Sequence, residues 1–149
     1  MNWNKDKSVA LSQACVALFA LCLLALDVGA YWAAQWFTWT RFHVWQYGFL
    51  FMASIYAGSA FGWPCLYHLW RLLRNIRRGA LFVAGNVRCM RVVSWCCVGA
   101  ALVAALSAAY YLPFLFFAVA AGFLALIVRI VKNAFEQAIA MKDELDWTV

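Results

Sequence analysis

Residues 69–91 read LWRLLRNIRRGALFVAGNVRCMR and lie between two long apolar runs. This stretch holds half of the chain's 12 Lys and Arg residues, namely Arg71, Arg74, Arg77, Arg78, Arg88 and Arg91. In membrane proteins, the short loops on the cytoplasmic side carry an excess of Lys and Arg. The stretch therefore predicts a basic cytoplasmic hairpin over residues 71–91, between two membrane spans.

The composition of the chain is that of an integral membrane protein. Of its 149 residues, 68% are hydrophobic and 12% are charged, whereas soluble domains have about 45–50% apolar and about 25% charged residues. The net charge of +6 lies beside apolar runs, where anionic lipid headgroups are the usual counter-ions. Nucleic-acid binding would normally need a soluble module, so we expect no direct nucleic-acid contact.

Four apolar runs approach the roughly 20 residues that a helix needs to cross a bilayer. They cover about residues 8–27, 48–70, 91–111 and 114–132. The first run exceeds the about 7–15-residue core of a signal peptide, so we interpret it as a span, with cleavage near Ala30 as the alternative. Pro113 leaves only a short turn between the last two runs. The sequence predicts one all-α domain, an antiparallel bundle of four transmembrane helices.

The distribution of basic residues predicts the orientation of this bundle. With four spans, one side carries Lys5, Lys7, the six hairpin arginines, Arg129, Lys132 and Lys142, and the other side carries Arg41. Both ends of the chain are therefore expected in the cytoplasm. The tail, residues 133–149, continues an amphipathic pattern and predicts a cytoplasmic helical extension of the fourth span.

Local signals predict where individual helices end. Asp27 follows the first apolar run at roughly 29 Å from Ser8 along a helix axis, so we expect it at the outer interface. Residues 31–47 are rich in Trp and Tyr and predict a loop on the outer leaflet, in which Asp27 and Arg41 could pair. Gly79 is expected to end the second helix, and Asn86 is expected to cap the third.

Small residues predict where helices approach each other closely. Glycines spaced four residues apart share a helix face and admit a neighbouring backbone. The candidate packing positions are Gly58, Gly62, Gly99 and Gly122.

The arginines of the hairpin are the leading candidate binding surface. They could bind phospholipid headgroups, a phosphorylated ligand or an acidic partner; the alternative is that they only set the topology. The acidic residues Asp143, Glu144 and Asp146 are candidates for docking onto the hairpin, because their charge is complementary. If they dock, reversing these charges should lower stability more at low salt than at high salt.

Other classes of site find less support in the sequence. Cys65 and His68 could share a helix face, but a metal site needs three or four converging ligands, and we predict no metal or cofactor. The six cysteines are interpreted as small buried apolar residues. No catalytic constellation stands out, so we predict no enzyme. We expect no acid or base at mid-depth, which counts against transport, because ionisable groups inside spans mark transport paths. A small oligomeric transporter or channel is therefore the alternative function and not the leading one.

Two segments resemble a known family. Residues 69–79, together with Phe82 and residues 86–88, and the ending over residues 141–149 are similar to a family of small bacterial four-span proteins, domain of unknown function 2975. Ala80 departs from the acidic residue expected after the glycine. The resemblance implies an inner-membrane protein, and family members are often encoded beside a small helix-turn-helix regulator. We therefore expect a regulatory, sensing or interaction module that contacts anionic lipid or such a regulator, and that forms a homo-oligomer in one interpretation.

Overall fold

The computed structural model describes residues 3–42 and 45–148, and these residues form helices joined by short turns. The four α-helices are α1 (Trp3–Phe37), α2 (Trp45–Arg77), α3 (Ala84–Ser107) and α4 (Phe114–Trp147), and a π-helical segment, Thr38–Phe42, follows α1. No strand occurs in the described ranges. Each α-helix is long and apolar enough to cross a membrane. The all-α fold is confirmed, and the chain is a multi-pass membrane protein.

The helices pack in chain order. Close backbone approaches join α1 to α2, α2 to α3 and α3 to α4, and within the described residues none joins α1 to α4. Short connections between long helices make consecutive helices antiparallel neighbours. Large apolar side chains such as Phe116 and Leu106 are exposed on the outer surface, where lipid tails would surround them.

One end of the bundle is closed by aromatic side chains, and we call it the aromatic end. Phe37 of α1 stacks on Phe51 of α2 with ring centroids 4.5 Å apart, and it meets the edge of Tyr111 at 5.1 Å. The guanidinium carbon of Arg41 lies 5.7 Å from the centre of the Tyr111 ring. These contacts hold the end of α1 against the turn between α3 and α4.

The expectation that the first helix ends near Asp27 is wrong, because α1 continues to Phe37. Residues 31–37 are therefore helix and not loop. The proposed pairing of Asp27 with Arg41 is also wrong, since the two residues lie about 21 Å apart along the helix. The helix accommodates Asp27 because donors on α2 bind its side chain: Ser59 donates to one carboxylate oxygen, and Trp63 donates to the other over 3.0 Å.

The position of Asp27 in the bundle also differs from the expectation. Its partner Ser59 lies about 18 Å from Arg71 and about 18 Å from Tyr47 along α2, at about 1.5 Å per residue. Asp27 therefore lies about halfway between the aromatic end and the arginines. The expectation of an outer-interface position, with no acid at mid-depth, is wrong.

The turn between α2 and α3 is fixed by backbone geometry and one buried amide. Gly79 has a φ of 78°, and its N–H and that of Ala80 donate to the carbonyl oxygens of Ile76 and Asn75. This is the left-handed glycine stop expected for the end of α2. The expected N-cap role of Asn86 is wrong: Val83 is the N-cap residue of α3. Asn86 is instead fully buried.

The glycines predicted to pack differ in their surroundings. A Cβ placed on Gly62 would lie 3.0 Å from a methyl carbon of Leu23, and one placed on Gly99 would overlap the Phe61 ring. These two glycines lie at the α1–α2 and α2–α3 contacts. At Gly58 and Gly122 nothing lies within 4 Å of such a Cβ, so the expected close approach does not occur there. Gly58 borders a cavity instead.

Candidate anion-binding site at the basic end

The six hairpin arginines lie at the end of the bundle opposite the aromatic end, which we call the basic end. Arg71, Arg74 and Arg77 belong to the end of α2, Arg78 follows it, and Arg88 and Arg91 belong to the start of α3. All six are exposed. The structure therefore places them on one surface but on two helices, and only some of them contact neighbouring helices.

Arg77 and Arg91 connect this surface to the rest of the bundle. Arg77 donates a hydrogen bond of 3.3 Å to the side-chain oxygen of Gln13, a buried residue of α1. Arg91 lies 3.3 Å from Glu136 of α4. The guanidinium groups thus tie α1 to α2 and α3 to α4 near the predicted cytoplasmic boundary.

A cavity of about 190 Å³ lies between the packed helices α3 and α4, beside Arg91. Its lining combines three cations with an indole and small groups, namely Arg91, Ser94, Trp95, Val98, Arg129 and Lys132. The residues from α3 follow a helical spacing of three or four, which places them on one face. Arg129 and Lys132 lie one turn apart on α4 and face them across the cavity.

The two helices are held together at this cavity by specific polar contacts. The hydroxyl of Ser94 donates to the backbone carbonyl oxygen of Ala125 over 3.1 Å. Glu136 accepts from both Arg91 and Lys132, each at 3.3 Å. The side chain of Lys132 is only 15% exposed, so its ammonium group is fixed beside the cavity and does not extend freely into solvent.

The charges around the cavity leave it positive. Arg91, Arg129 and Lys132 contribute three positive charges, and Glu136 compensates one of them. A phosphate or phosphodiester group has the complementary charge and accepts hydrogen bonds from guanidinium and ammonium donors. The arrangement can bind an anionic headgroup while Trp95, which is exposed, occupies the interfacial level that indole rings prefer.

A second cavity, of about 480 Å³, continues this surface toward the hairpin turn. It is lined by Ala84, Val87, Arg88, Arg91, Glu136 and Ile139. Arg91 lines both cavities, so its ion pair with Glu136 lies where the two parts of the α3–α4 surface meet. The outer part offers Arg88 and an apolar wall.

The family model described as "Protein of unknown function (DUF2975)" matches residues 8–149. The chain belongs to this family. The resemblance noted in the hairpin and the tail is thereby confirmed over nearly the whole chain. No curated protein and no solved structure matches the chain. What this DUF2975 protein does must therefore be argued from its own site geometry.

Of the six residues that line the α3–α4 cavity in this DUF2975 protein, sequence reasoning had identified Arg91 alone. Arg91 was a candidate, but Trp95, Arg129 and Lys132 were not. Their signal in the sequence is the spacing of Arg129 and Lys132 by one helical turn and the placement of Trp95 one turn after Arg91. Only the pairing of α3 with α4 brings these two patterns to the same level.

The acidic tail of the DUF2975 protein lies at the end of α4, which continues as one helix to Trp147. Asp143, Glu144 and Asp146 are exposed. Within the described ranges, no ion pair joins them to the hairpin arginines, and the acid that contacts the hairpin is Glu136. Docking of the tail stays a prediction.

The cysteines and His68 form no metal-binding group among the residues that the structure describes. The side chains of Cys65 and Cys97 are neighbours across the α2–α3 contact. The six cysteines are free thiols. Their packing between helices agrees with the interpretation as small apolar residues for the buried Cys89 and Cys96, whereas Cys15 and Cys22 are exposed on the lipid-facing surface.

Proposed function

We propose that this protein is a non-enzymatic bacterial inner-membrane protein, a regulatory, sensing or interaction module whose basic end faces the cytoplasm and binds anionic lipid headgroups. The observation that carries this proposal is the cavity between α3 and α4, where Arg91, Arg129 and Lys132 converge beside Trp95. Basic pockets between transmembrane helices on the cytoplasmic side are typical sites for anionic headgroups.

The orientation follows from the same charges. The basic end carries the hairpin arginines, Arg129 and Lys132, and the described part of the aromatic end carries Arg41. The positive-inside rule places the first group in the cytoplasm, so α1 begins there and the tail ends there. A reporter enzyme that is active only outside the cytoplasm should be inactive when fused after the tail and active when inserted between Leu112 and Pro113. The reverse pattern would contradict the orientation.

The exposed arginines of α2 support a second role for the same end, contact with a cytosolic protein. The side chains of Arg71, Arg74 and Arg78 are exposed and are available to an acidic surface. The resemblance to the family implies a small helix-turn-helix regulator as the partner, because such a regulator is often encoded beside family members. In this proposal, headgroup binding between α3 and α4 and partner binding on α2 use different arginines.

Lipid binding can be tested with two matched triple variants. Arg91→Gln, Arg129→Gln and Lys132→Gln together remove the cavity's cations, and Arg71→Gln, Arg74→Gln and Arg78→Gln remove the same charge from α2. In a neutral detergent, the first variant should lose at least about tenfold in affinity for phosphatidylglycerol, with little change for phosphatidylcholine. The second should lose less. Equal losses would show general charge attraction and contradict a built headgroup site.

Partner binding is tested by purification from native membranes. A soluble protein recovered in stoichiometric amount with the wild type, and lost from the variant lacking Arg71, Arg74 and Arg78, would support the interaction role. Retention of the same protein by that variant would contradict the assignment of these arginines.

A second candidate function is a small oligomeric transporter or channel. The specific observation in its favour is Asp27, an ionisable group about halfway through the bundle, because such groups mark ion and substrate paths. Ion or substrate flux in proteoliposomes that contain only this protein would favour this candidate. Absence of flux under a range of ion gradients would favour the interaction role.

A further inference from the structure

Asp27 is half-buried among neutral hydrogen-bond donors at the contact between α1 and α2. Its carboxylate oxygens accept from the Ser59 hydroxyl and from the Trp63 indole N–H, and its backbone carbonyl oxygen accepts from the Tyr56 hydroxyl over 3.2 Å. Among the described residues, no Lys, Arg or His nitrogen forms an ion pair with it. An ionisable group within membrane spans is costly and usually marks a functional site.

A cavity of about 460 Å³ is lined by Ser59, the residue whose hydroxyl donates to this carboxylate. Leu23, Leu26 and Ser59 belong to its wall, and the hydroxyl of Ser59 is the group that donates to Asp27. The carboxylate is therefore separated from the cavity by one hydroxyl group. Ligand sites for organic molecules commonly have volumes of about 300–1,000 Å³, so the cavity is large enough for one.

The rest of the cavity is apolar and aromatic. It extends toward the aromatic end, where Phe51, Tyr111, Phe114 and Phe117 line it. Aromatic faces attract organic cations through the negative charge of their π-systems. The polar groups in the wall are few: Ser54 and Ser107 are hydrogen-bonded to each other over 2.7 Å.

A carboxylate next to an apolar, aromatic cavity favours organic cations over inorganic ones. A hard inorganic ion such as Ca²⁺ takes 6–8 oxygen ligands, and Mg²⁺ takes an octahedral set. The cavity wall offers a few hydroxyls that are already hydrogen-bonded, and the carboxylate of Asp27 lies behind the hydroxyl of Ser59. An organic cation needs one counter-charge, an apolar cavity and aromatic faces. All three are present.

We propose that Asp27 and the adjoining cavity form a binding site for a lipophilic organic cation, such as a quaternary ammonium or phosphonium compound. The cation lies in the apolar cavity, and its charge is balanced by the Asp27 carboxylate. The site lies about halfway through the bundle and shares no residue with the α3–α4 site for anionic headgroups, so it stands independently of that function.

The test measures tetraphenylphosphonium binding to the purified protein by equilibrium dialysis in an uncharged maltoside detergent. Tetraphenylborate, which has the same shape and the opposite charge, is the ligand control. Asp27→Asn keeps the size of the side chain and removes the charge, and Asp143→Asn makes the same change in the exposed tail. We expect tetraphenylphosphonium affinity to fall at least tenfold in Asp27→Asn and to stay within twofold in Asp143→Asn.

A second variant keeps the test decisive if Asp27→Asn does not fold. Gly58 lines the cavity, and a Cβ there meets nothing within 4 Å, so Gly58→Leu places a branched side chain in the cavity and leaves Asp27, Ser59 and Trp63 unchanged. It should elute as the wild type does on size exclusion and bind tetraphenylphosphonium at least tenfold more weakly. The proposal is overturned if either folded variant binds like the wild type, or if tetraphenylborate binds the wild type as tightly as tetraphenylphosphonium.

Discussion

Asn75 and Asn86 join the end of α2 to the first turn of α3: the side-chain amide of Asn75 donates a hydrogen bond of 2.8 Å to the side-chain oxygen of Asn86. The amide of Asn86 in turn donates to the backbone oxygens of Ala80 and Leu81 over 2.8 and 2.9 Å. A single buried side chain therefore organises the turn that presents the hairpin arginines.

Replacing Asn86 with Ala should destabilise the protein by about 2–4 kcal/mol. The change removes the three hydrogen bonds of a buried side chain, and each contributes about 0.5–1.5 kcal/mol net. Thermal unfolding in detergent, followed by tryptophan fluorescence, measures the effect. Asn133→Ala, on the exposed side of α4, is the matched control and should change stability by less than about 0.5 kcal/mol. Equal effects of the two variants would show that the hydrogen bonds of Asn86 contribute little.

Gly99→Ala should destabilise the α2–α3 contact, whereas Gly122→Ala should not. A Cβ at Gly99 overlaps the Phe61 ring, but one at Gly122 meets nothing within 4 Å. We expect a loss of about 1–3 kcal/mol at Gly99 from overpacking, and a gain of up to about 1 kcal/mol at Gly122 from helix propensity. Unfolding in detergent measures both.

The Gly99 effect should be relieved by a smaller partner. Because Phe61 is the residue that a new Cβ would meet, the double variant Phe61→Ala with Gly99→Ala should lose less stability than the sum of the two single variants. Additive losses would mean that the strain at Gly99 comes from elsewhere.

Glu136→Gln should strengthen binding of anionic lipid. Glu136 contacts both Arg91 and Lys132, so removing its charge leaves both cations available to a headgroup. Phosphatidylglycerol affinity, measured in neutral detergent, should rise about two- to tenfold at low salt and less at high salt, because ions screen the interaction. Glu144→Gln removes the same charge from the exposed tail and should have a smaller effect. If both variants raise the affinity equally, the cavity has no special role.

If the tail stays exposed as it is in the structure, reversing Asp143, Glu144 and Asp146 to Lys should change stability by less than about 0.5 kcal/mol. The measurement is thermal unfolding at low and at high salt. A loss that is larger at low salt would instead demonstrate docking of the tail onto the hairpin arginines. Substitution of the neighbouring Lys142 with Glu serves as the control for a general effect of charge on the tail.

The hairpin shows what local sequence can predict. Gly79 was recognised as the end of α2 because its left-handed backbone and the basic turn before it are properties of the segment itself. Asn86 was misassigned as a cap, because its true partners, Asn75 and the carbonyl oxygens of the turn, become neighbours only when the two helices pair. Capping preference is a property of one helix end, whereas the burial of Asn86 depends on how the ends of two helices pack together.

Asp27 shows what local sequence cannot predict. From sequence alone, a carboxylate after an apolar run predicts a helix end at the membrane surface. The helix continues because Ser59 and Trp63, more than 30 residues away in sequence, satisfy the carboxylate. Hydropathy measures the cost of a polar side chain in lipid but not the donors that a neighbouring helix supplies.

The amino-acid sequence is sufficient to predict an all-helical membrane protein with four long apolar helices and an arginine-rich turn, because apolar length and charge distribution are properties of single segments. The packing of the helices sets which side chains face one another: Trp95 and Arg91 with Arg129 and Lys132, and Asp27 with Ser59 next to an apolar cavity. The reason is physical. Membrane insertion depends on the free energy of each helix in lipid, whereas a binding site depends on the register between helices, which close packing of side chains fixes.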